Sequence, residues 1–355
     1  MIVSRTLFFY RLEFLSCGKF GWISGFCKVF VRKNLGLFKI FVRLAAYYFN
    51  MILPKKYWKY ASGGLVLALV LLVAAWTELP DRKMHLQFLD VGQGDAILIQ
   101  TPEGHNILID GGPKSNVMEE LSDTLPFFNR DIDFMVLTHP HADHLEGLVE
   151  VLERYRVKAV LITGVAYNNV YYDEFLKELS RLVSEGGESG DGGNGESGVA
   201  GESGFKLFIA QANMDFRVGS VLFDVIYPIS SLAGREVTNL NNSSIVMRVS
   251  YKDLGGSDGE QRILLSGDCE IECEEEILAE GIDLRADIYK AGHHGSKTAS
   301  SPSYVQAIAP KIAVIQCGEG NKFGHPHAET LRTFYSLGIT DVWRNDLDGR
   351  IEFTY

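Results

Sequence analysis

The chain has 355 residues, 46% of them hydrophobic and 22% charged, with a formal net charge of −11. That length supports a large core in one or two domains. The five cysteines contain no Cys-x-x-Cys pair and form no evident disulfide framework, and Cys269, Cys273 and Cys317 are expected as buried thiols. Charge is uneven: residues 1–80 carry 11 Lys/Arg against Glu13 and Glu78, a sum of +9, while 81–355 carry 23 Lys/Arg against 43 Asp/Glu, a sum of −20. A basic, apolar head on an acidic body points to a membrane. The acidic body argues against broad non-specific nucleic-acid binding, which needs a positive field.

Residues 1–56 are basic and aromatic, with Phe8, Phe9, Phe14, Phe20, Phe26 and Phe30 interleaved with Arg and Lys. They read either as interfacial amphipathic segments or as sequence ahead of an alternative start at Met51. Residues 57–79 read as a single transmembrane anchor or uncleaved signal, because Tyr60–Trp76 is 17 residues without a charge and follows Lys55, Lys56 and Lys59. Positive charge stays on the cytoplasmic side, so the body is expected outside the cytoplasm at the cell membrane. Secretion after cleavage near Val73-Ala74-Ala75 is the alternative.

The body runs from 84 to 355. Strands are expected at 84–89, 96–100 and 106–109, the first two separated by the Gly-rich turn Asp90-Val91-Gly92-Gln93-Gly94-Asp95. Gly92-x-Gly94 is followed by a strand where a nucleotide fingerprint needs a helix, so it reads as a tight turn. The third strand ends in Asp110-Gly111-Gly112, which makes Asp110 a candidate site support. An apolar run at 133–137 then leads into Thr138-His139-Pro140-His141-Ala142-Asp143-His144, and a helix is expected over 145–155. Three imidazoles and a carboxylate thus sit between a strand end and a helix start, where α/β folds place their chemistry. His139 and His141, two apart in extended chain, can converge on one ion, while Asp143 and His144 turn towards a second.

A strand at 159–163 and a helix at 172–183 follow. Residues 185–204 contain almost only Gly, Ser and acidic residues and read as a flexible surface insertion. Further strands are expected at 206–209, 221–227, 244–249 and 263–265. Asp268 follows the last of these after Gly267, and the pair His293-His294 follows a strand near 287–290. A helix at 328–337 and a closing strand pair around Asp348-Gly349 end the chain. Two strand-rich halves with interspersed helices suggest an α/β (α+β) fold, an αβ/βα four-layer sandwich behind one N-terminal membrane helix.

The order Asp110-Gly-Gly, His139-x-His141-x-Asp143-His144, Gly267-Asp268 and His293-His294-Gly295-Ser296 resembles the metallo-β-lactamase superfamily. The closer likeness, over residues 84–355, is to the metallo-hydrolase domain at the C-terminal end of the ComEC family of DNA-uptake competence proteins. It rests on Leu89-Asp90-Val91-Gly92-Gln93-Gly94-Asp95, Asn241-Asn242-Ser243-Ser244, Ala291-Gly292-His293-His294-Gly295-Ser296 and Gly324-His325-Pro326-His327. One candidate span stands against that family's many-helix channel, so DNA transport is not implied.

The resemblance implies one or two divalent ions, zinc or manganese. His139 and His141 would hold the first, Asp143 and His144 the second, and Asp268 would bridge both. One of His293 and His294 completes the second site, with His293 preferred. The superfamily's first site has a third His, yet no His occurs from 145 to 292; Asn242, Ser243 or Ser244 falls about where it would be. His325 and His327 lie outside the usual ligand set and either reach substrate or form a turn around Pro326. Ser296, Lys297 and Thr298 contact a phosphate or simply open a helix. The expected function is a membrane-anchored, metal-dependent hydrolase of phosphodiester bonds, a DNA-related nuclease with Asp143 and Asp268 as catalytic residues. The alternatives are a hydrolase of a lactone, thioester or lactam, since fold does not fix function, and a non-catalytic nucleic-acid-binding module with a degraded metal site.

Overall fold

The computed structural model describes residues 60, 63–70, 81–126, 129–184, 188–189, 204–252 and 259–355. It divides into two units, Met1–Leu79 and Pro80–Tyr355. In the first, residues 63–70 are helical and largely exposed, as is Tyr60; the rest of the expected 57–79 anchor, and all of 1–56, lie outside the described residues. Among the described residues no helix is long and apolar enough to cross a membrane.

The second unit alternates strands and helices. In chain order these are β1 (His85–Phe88), β2 (Ile97–Gln100), β3 (Asn106–Ile109), α1 (Asn116–Thr124), β4 (Asp131–Ile132), β5 (Phe134–Val136), α2 (Ala142–Arg154), β6 (Arg156–Val157), β7 (Ala159–Ile162) and α3 (Val170–Ser184). They continue with β8 (Glu188–Ser189), β9 (Lys206–Ile209), β10 (Met214–Val218), β11 (Val221–Tyr227), β12 (Val246–Tyr251), β13 (Gln261–Leu265), α4 (Ile271–Ala279), β14 (Ile288–Lys290), α5 (Pro302–Ile308), β15 (Ile312–Ile315), α6 (Ala328–Ser336), β16 (Asp341–Arg344) and β17 (Ile351–Thr354). One sheet runs β17-β1-β2-β3-β5-β7-β9-β8 and a second runs β10-β11-β12-β13-β14-β15-β16; β4 and β6 form a small ribbon.

Strand alternation decides the layering. Ile97 and Ile99 point one way and Leu98 the other, as a period of two requires. Ile97, Ile99, Ile107, Ile109 and Val136 of the first sheet meet Phe223, Val225, Met247, Val249, Ile263 and Leu265 of the second in one inter-sheet core. Phe216 anchors it, stacked 4.3 Å from Phe134 and 4.8 Å from Phe223 between ring centroids. Leu98, Leu108 and Met135 cover the outer face of the first sheet with Val117, Leu121, Leu148, Phe175 and Leu179 of α1, α2 and α3. On the other side Leu264, Tyr289 and Ala313 pack against Ile277, Tyr304, Val305 and Phe334 of α4, α5 and α6. The expected αβ/βα four-layer sandwich is therefore the observed fold. Each fully buried Leu, Ile or Phe contributes on the order of 1.5–3 kcal/mol.

Two expectations change. The strands flanking Asp348-Gly349 do not pair with each other: β16 lies parallel to β15 in the second sheet, and β17 antiparallel to β1 in the first. The short helix Asn345–Asp348 between them therefore carries the chain from one sheet to the other. Cys269 and Cys273 are joined in a disulfide, with Cα atoms 5.6 Å apart, and only Cys317 remains a buried thiol. Burial, then the neighbouring Asp346, pushes the Cys317 thiol up to about 12. The insertion expected at 185–204 lies outside the described residues, except for Gly204 and β8, which pairs parallel to β9.

Candidate metal centre

The parallel strands of both sheets bring their C-terminal ends to one place. β3 and β5 are parallel, as are β13, β14 and β15. Asp110 follows β3, His139 and His141 follow β5, Asp268 follows β13, and His293 and His294 follow β14. The loop after β5 is shorter than expected, because α2 starts at Ala142. Asp143 and His144 thus lie in the first helical turn, where the helix dipole favours the Asp143 carboxylate. Two glycine contacts make this possible. A Cβ on Gly147 would lie 2.0 Å from the Gly111 carbonyl oxygen, so α2 can press onto the end of β3 only without one. Gly94, at φ +150°, comes as close to the Asp143 carbonyl, which explains the Gly-rich turn as a backbone approach.

The imidazoles share one arrangement. His144 Nδ1 is 2.8 Å from Asp110 Oδ2. His294 Nδ1 donates to the Gln316 carbonyl at 3.0 Å. His139 Nδ1 lies 3.2 Å from both Thr138 Oγ1 and Ser244 Oγ. Each ring is held through Nδ1, which leaves Nε2 as its free nitrogen, and the three Nε2 atoms converge on Asp268 Oδ2 at 3.3, 3.4 and 3.8 Å for His144, His294 and His139. Asp143 Oδ2 is 3.3 Å from His294 Nε2. His141 Nδ1 faces His139 Nε2 at 3.0 Å, and His139, His141 and Asp268 bring one donor atom each within 4.8 Å of one another.

His144 Nε2, His294 Nε2 and Asp268 Oδ1 are buried without a hydrogen-bond partner. Such orphans cost about 1–3 kcal/mol each and need a reason. A divalent cation supplies it, because imidazole nitrogen and carboxylate oxygen are its ordinary donors. The residues present therefore fit an ion.

The fields are strong. Burial opposes charge on Asp268, yet His294 and His144 outweigh it and hold the carboxyl well below the usual carboxylate range. Burial likewise disfavours charged His294, but Asp268 and Asp95 lift it to about 10. His144 is raised well above its ordinary value by Asp268 and Asp110 against burial. His139 goes the other way, pushed well down by burial and by His144. Asp143 is lowered despite burial, through the adjacent His294 and the charge of His144.

The geometry separates the two residues between which the sequence left a choice. His294 is fully buried within this group. His293, the preferred candidate, sits at the rim: its Nε2 is 4.0 Å from Asp268 Oδ2 and its Nδ1 is 2.8 Å from Glu270 Oε1. Both residues, at φ 47° and 54°, occupy the left-handed region that only a constrained loop imposes on non-glycine residues. Asp110 acts as a support, taking the Thr138 N–H at 2.8 Å and Thr138 hydroxyl at 2.7 Å besides His144. Ser244 also supports, accepting the Asp268 N–H at 3.0 Å. Asn242 turns away to the start of α4, where its Oδ1 accepts the Glu270 N–H at 3.0 Å. Ser296 is buried and bonds to Thr298 Oγ1 at 2.9 Å, within the network around Glu270. His325 lies over the site, its ring 5.5 Å from that of His293 and 6.1 Å from that of His294. Burial, then His294 and His293, lowers it to about 4. His327 is a step further out, where its Nδ1 accepts the Lys297 N–H at 3.1 Å at the entry to α6.

Asp95 and Lys290 were not among the sequence candidates. Lys290 is fully buried; its ammonium pairs with Asp95 Oδ2, donates to the Gly267 carbonyl at 3.0 Å and lies 4.0 Å from Asp268 Oδ1. Asp95, His144, Asp268 and His294 also bring one donor atom each within 4.8 Å. Asp95 nevertheless faces the Nδ1 edges of the rings, 3.2 Å from His294 and 3.9 Å from His144, on the side away from Asp268 Oδ2. It backs the centre with Lys290 as its counter-charge. A lysine closing the apolar strand Ile288-Tyr289-Lys290 was the signal in the sequence.

Residues 89–206 match the Metallo-beta-lactamase superfamily. The chain is similar to "ComE operon protein 3" of Bacillus subtilis, 26% identical and covering 83% of this chain and 36% of that protein. It is similar also to "Recombination protein 2" of Haemophilus influenzae, 27% identical over 77% of this chain and 29% of that one, and to "Competence protein ComA" of Neisseria gonorrhoeae, 26% identical over 80% and 35%. The chain spans about a third of the length of these curated relatives. Among solved structures it resembles the metallo-β-lactamase fold protein YhfI of B. subtilis, at 12% identity and a TM-score of 0.44, covering 76% of this chain and all of that one. The four-layer body thus carries, at residues 89–206, the match to the Metallo-beta-lactamase superfamily, and it is similar in sequence to about a third of the length of each of these relatives.

Proposed function

We propose that this domain is a metal-dependent hydrolase of phosphodiester bonds, a nuclease acting on DNA. The observation that carries the hydrolase reading is the convergence of three buried Nε2 atoms on one Asp268 oxygen. His139, His141 and Asp268 would hold one ion, and Asp143, His144, His294 and Asp268 a second. A bound divalent ion, zinc or manganese, supplies Lewis acidity and lowers the pKa of water towards neutrality. The protein's own groups do the rest. Asp143, ionised in the first turn of α2, orients the attacking water and accepts its proton. Asp268 stays charged and fixes the spacing of the imidazoles. Asp110, Gln316 and Ser244 hold those rings by Nδ1, so that Nε2 faces inward throughout.

The choice of phosphodiester rests on relatives named for competence and recombination, and on the rim. There Phe323, 51% exposed, stacks on His325 at 5.7 Å between centroids, with the Lys322 ammonium 5.1 Å above its ring and Lys297 exposed nearby. An exposed aromatic beside lysines suits a base and its phosphate. On this reading residues 57–79 anchor the chain to the cell membrane with the domain outside the cytoplasm. The purified chain, loaded with zinc or with manganese, is incubated with single- and double-stranded DNA, RNA and a bis-aryl phosphodiester, alongside a β-lactam, a lactone and a thioester. Cleavage of the first group is the expected result. Turnover confined to the second group would move the assignment to another bond. Protease accessibility of the domain in intact cells stripped of their wall tests the topology; protection from added protease would contradict it.

A further inference from the structure

The first ion's side of the centre has one protein ligand too few. His139, His141 and Asp268 converge there, while the other side has Asp143, His144, His294 and Asp268. The residues around the position of the superfamily's third histidine, 241–244, form a short 3-10 turn and the residue after it. Three of them are already engaged. Asn242 holds the Glu270 N–H. The Ser243 hydroxyl donates to the Leu240 carbonyl at 2.7 Å. Ser244 Oγ joins His139 to the Asp268 N–H.

Asn241 is different. It is 8% exposed, and its Oδ1 is buried with no hydrogen-bond partner. Its Nδ2 is tethered to Glu270 Oε1 at 3.3 Å and lies 3.4 Å from His293 Nδ1. A carboxylate accepts only, so the amide end facing Glu270 is the NH2 and the oxygen is the free end. The amide also interacts with His141, whose protonated form it favours. A second member of the network fixes the backbone: the Asn241 N–H donates to Asn239 Oδ1 at 3.1 Å, and Asn239 Nδ2 donates to Glu270 Oε2 at 2.6 Å.

We infer that Asn241, through Oδ1, is a protein ligand of the first ion in the place of the third histidine. The inference rests on the metal-centre reading above. It makes the first site a set of two imidazoles, a carboxylate and an amide oxygen. An amide oxygen is a harder donor than imidazole, so this site takes a harder divalent ion such as manganese more readily than three histidines would. Glu270, with His293 and Thr298 around it, aims the amide.

The test is calorimetric titration of the full chain with manganese and with zinc, and it needs no substrate. The wild-type chain is expected to bind two manganese ions. Asn241→Ala keeps one and weakens the other at least about tenfold, the scale of lost ligand-shell interactions. Asn241→Asp separates ligand from brace: it keeps an oxygen at the site while turning the contact with Glu270 repulsive, and is expected to hold both ions at least as tightly as wild type. Asn241→His is expected to shift the first site's preference towards zinc. Two ions bound alike by wild type and Asn241→Ala would overturn the inference and leave the metal centre standing. So would an Asn241→Asp chain as weakened as Asn241→Ala, which would make the residue a brace for Glu270 and His293. A folded wild-type chain that binds no ion would overturn both readings.

Discussion

The two sides of the centre are built differently. On the side of His144 and His294 the rings are fully buried, and their Nδ1 atoms are held by a carboxylate and a carbonyl, with Asp95 and Lys290 behind them. On the side of His139 and His141 the braces are the hydroxyls of Thr138 and Ser244, and His141 is only partly buried. Hydrogen bonds to a charged group are about twice as strong as neutral ones. The deeper side is therefore the rigid one, and the shallower side is the one whose occupancy is easily tuned.

The largest effect expected from breaking this contrast is at Lys290. Lys290→Met leaves the Asp95 carboxylate buried without a counter-charge, at a cost of about 3–5 kcal/mol. Thermal unfolding should fall by roughly 10 °C for a domain of this size, and Asp95→Asn in the same chain should restore much of it. Next comes Asp110→Ala, which frees the His144 ring; titration should show one ion bound about 10- to 100-fold more weakly. Ser244→Ala sharpens the comparison. It removes a neutral brace from the shallow side, and less than about tenfold of the other ion's affinity should go. An equal loss in the two variants would contradict the asymmetry.

The smallest effect lies away from both ions. Asp133 is nearly buried, accepts the Asn106 N–H at 2.9 Å and pairs with Lys158 at 2.7 Å. Burial alone would raise its carboxyl, but Lys158 and the Asn106 N–H outweigh burial and lower it. A folded-state pKa below the unfolded one gives stability that is full at neutral pH and lost as pH falls through the folded value. Asp133→Asn should cost about 1 kcal/mol at pH 7, and the gap in denaturant midpoint should close below about pH 4. A gap that stays constant with pH would show that the charge contributes nothing.

Much of this was legible in the residues themselves. His139, His141, Asp143, His144 and Asp268 announced a site by density and by their places after strands, and alternating apolar positions located most strands. What remained hidden needed the third dimension. Asp95 lay in a Gly-rich turn that looked purely conformational, and only the fold sets Lys290 against it across 195 residues. The start of α2 at Ala142 was masked because its first turn is occupied by ligand-type residues in place of an apolar repeat. The placement of His294 within the buried group and of His293 at its rim goes with two consecutive left-handed backbones, which no spacing encodes. β16 and β17 looked like a hairpin because alternation reports a buried face and not its partner.

The central claim is a two-ion centre gathered on Asp268. Elemental analysis of the purified chain, with His141→Ala and His294→Ala beside it, tests that most directly. The account predicts close to two equivalents of divalent metal in the wild-type chain and about one in each variant. A folded wild-type chain without metal, or variants that retain both equivalents, would contradict it.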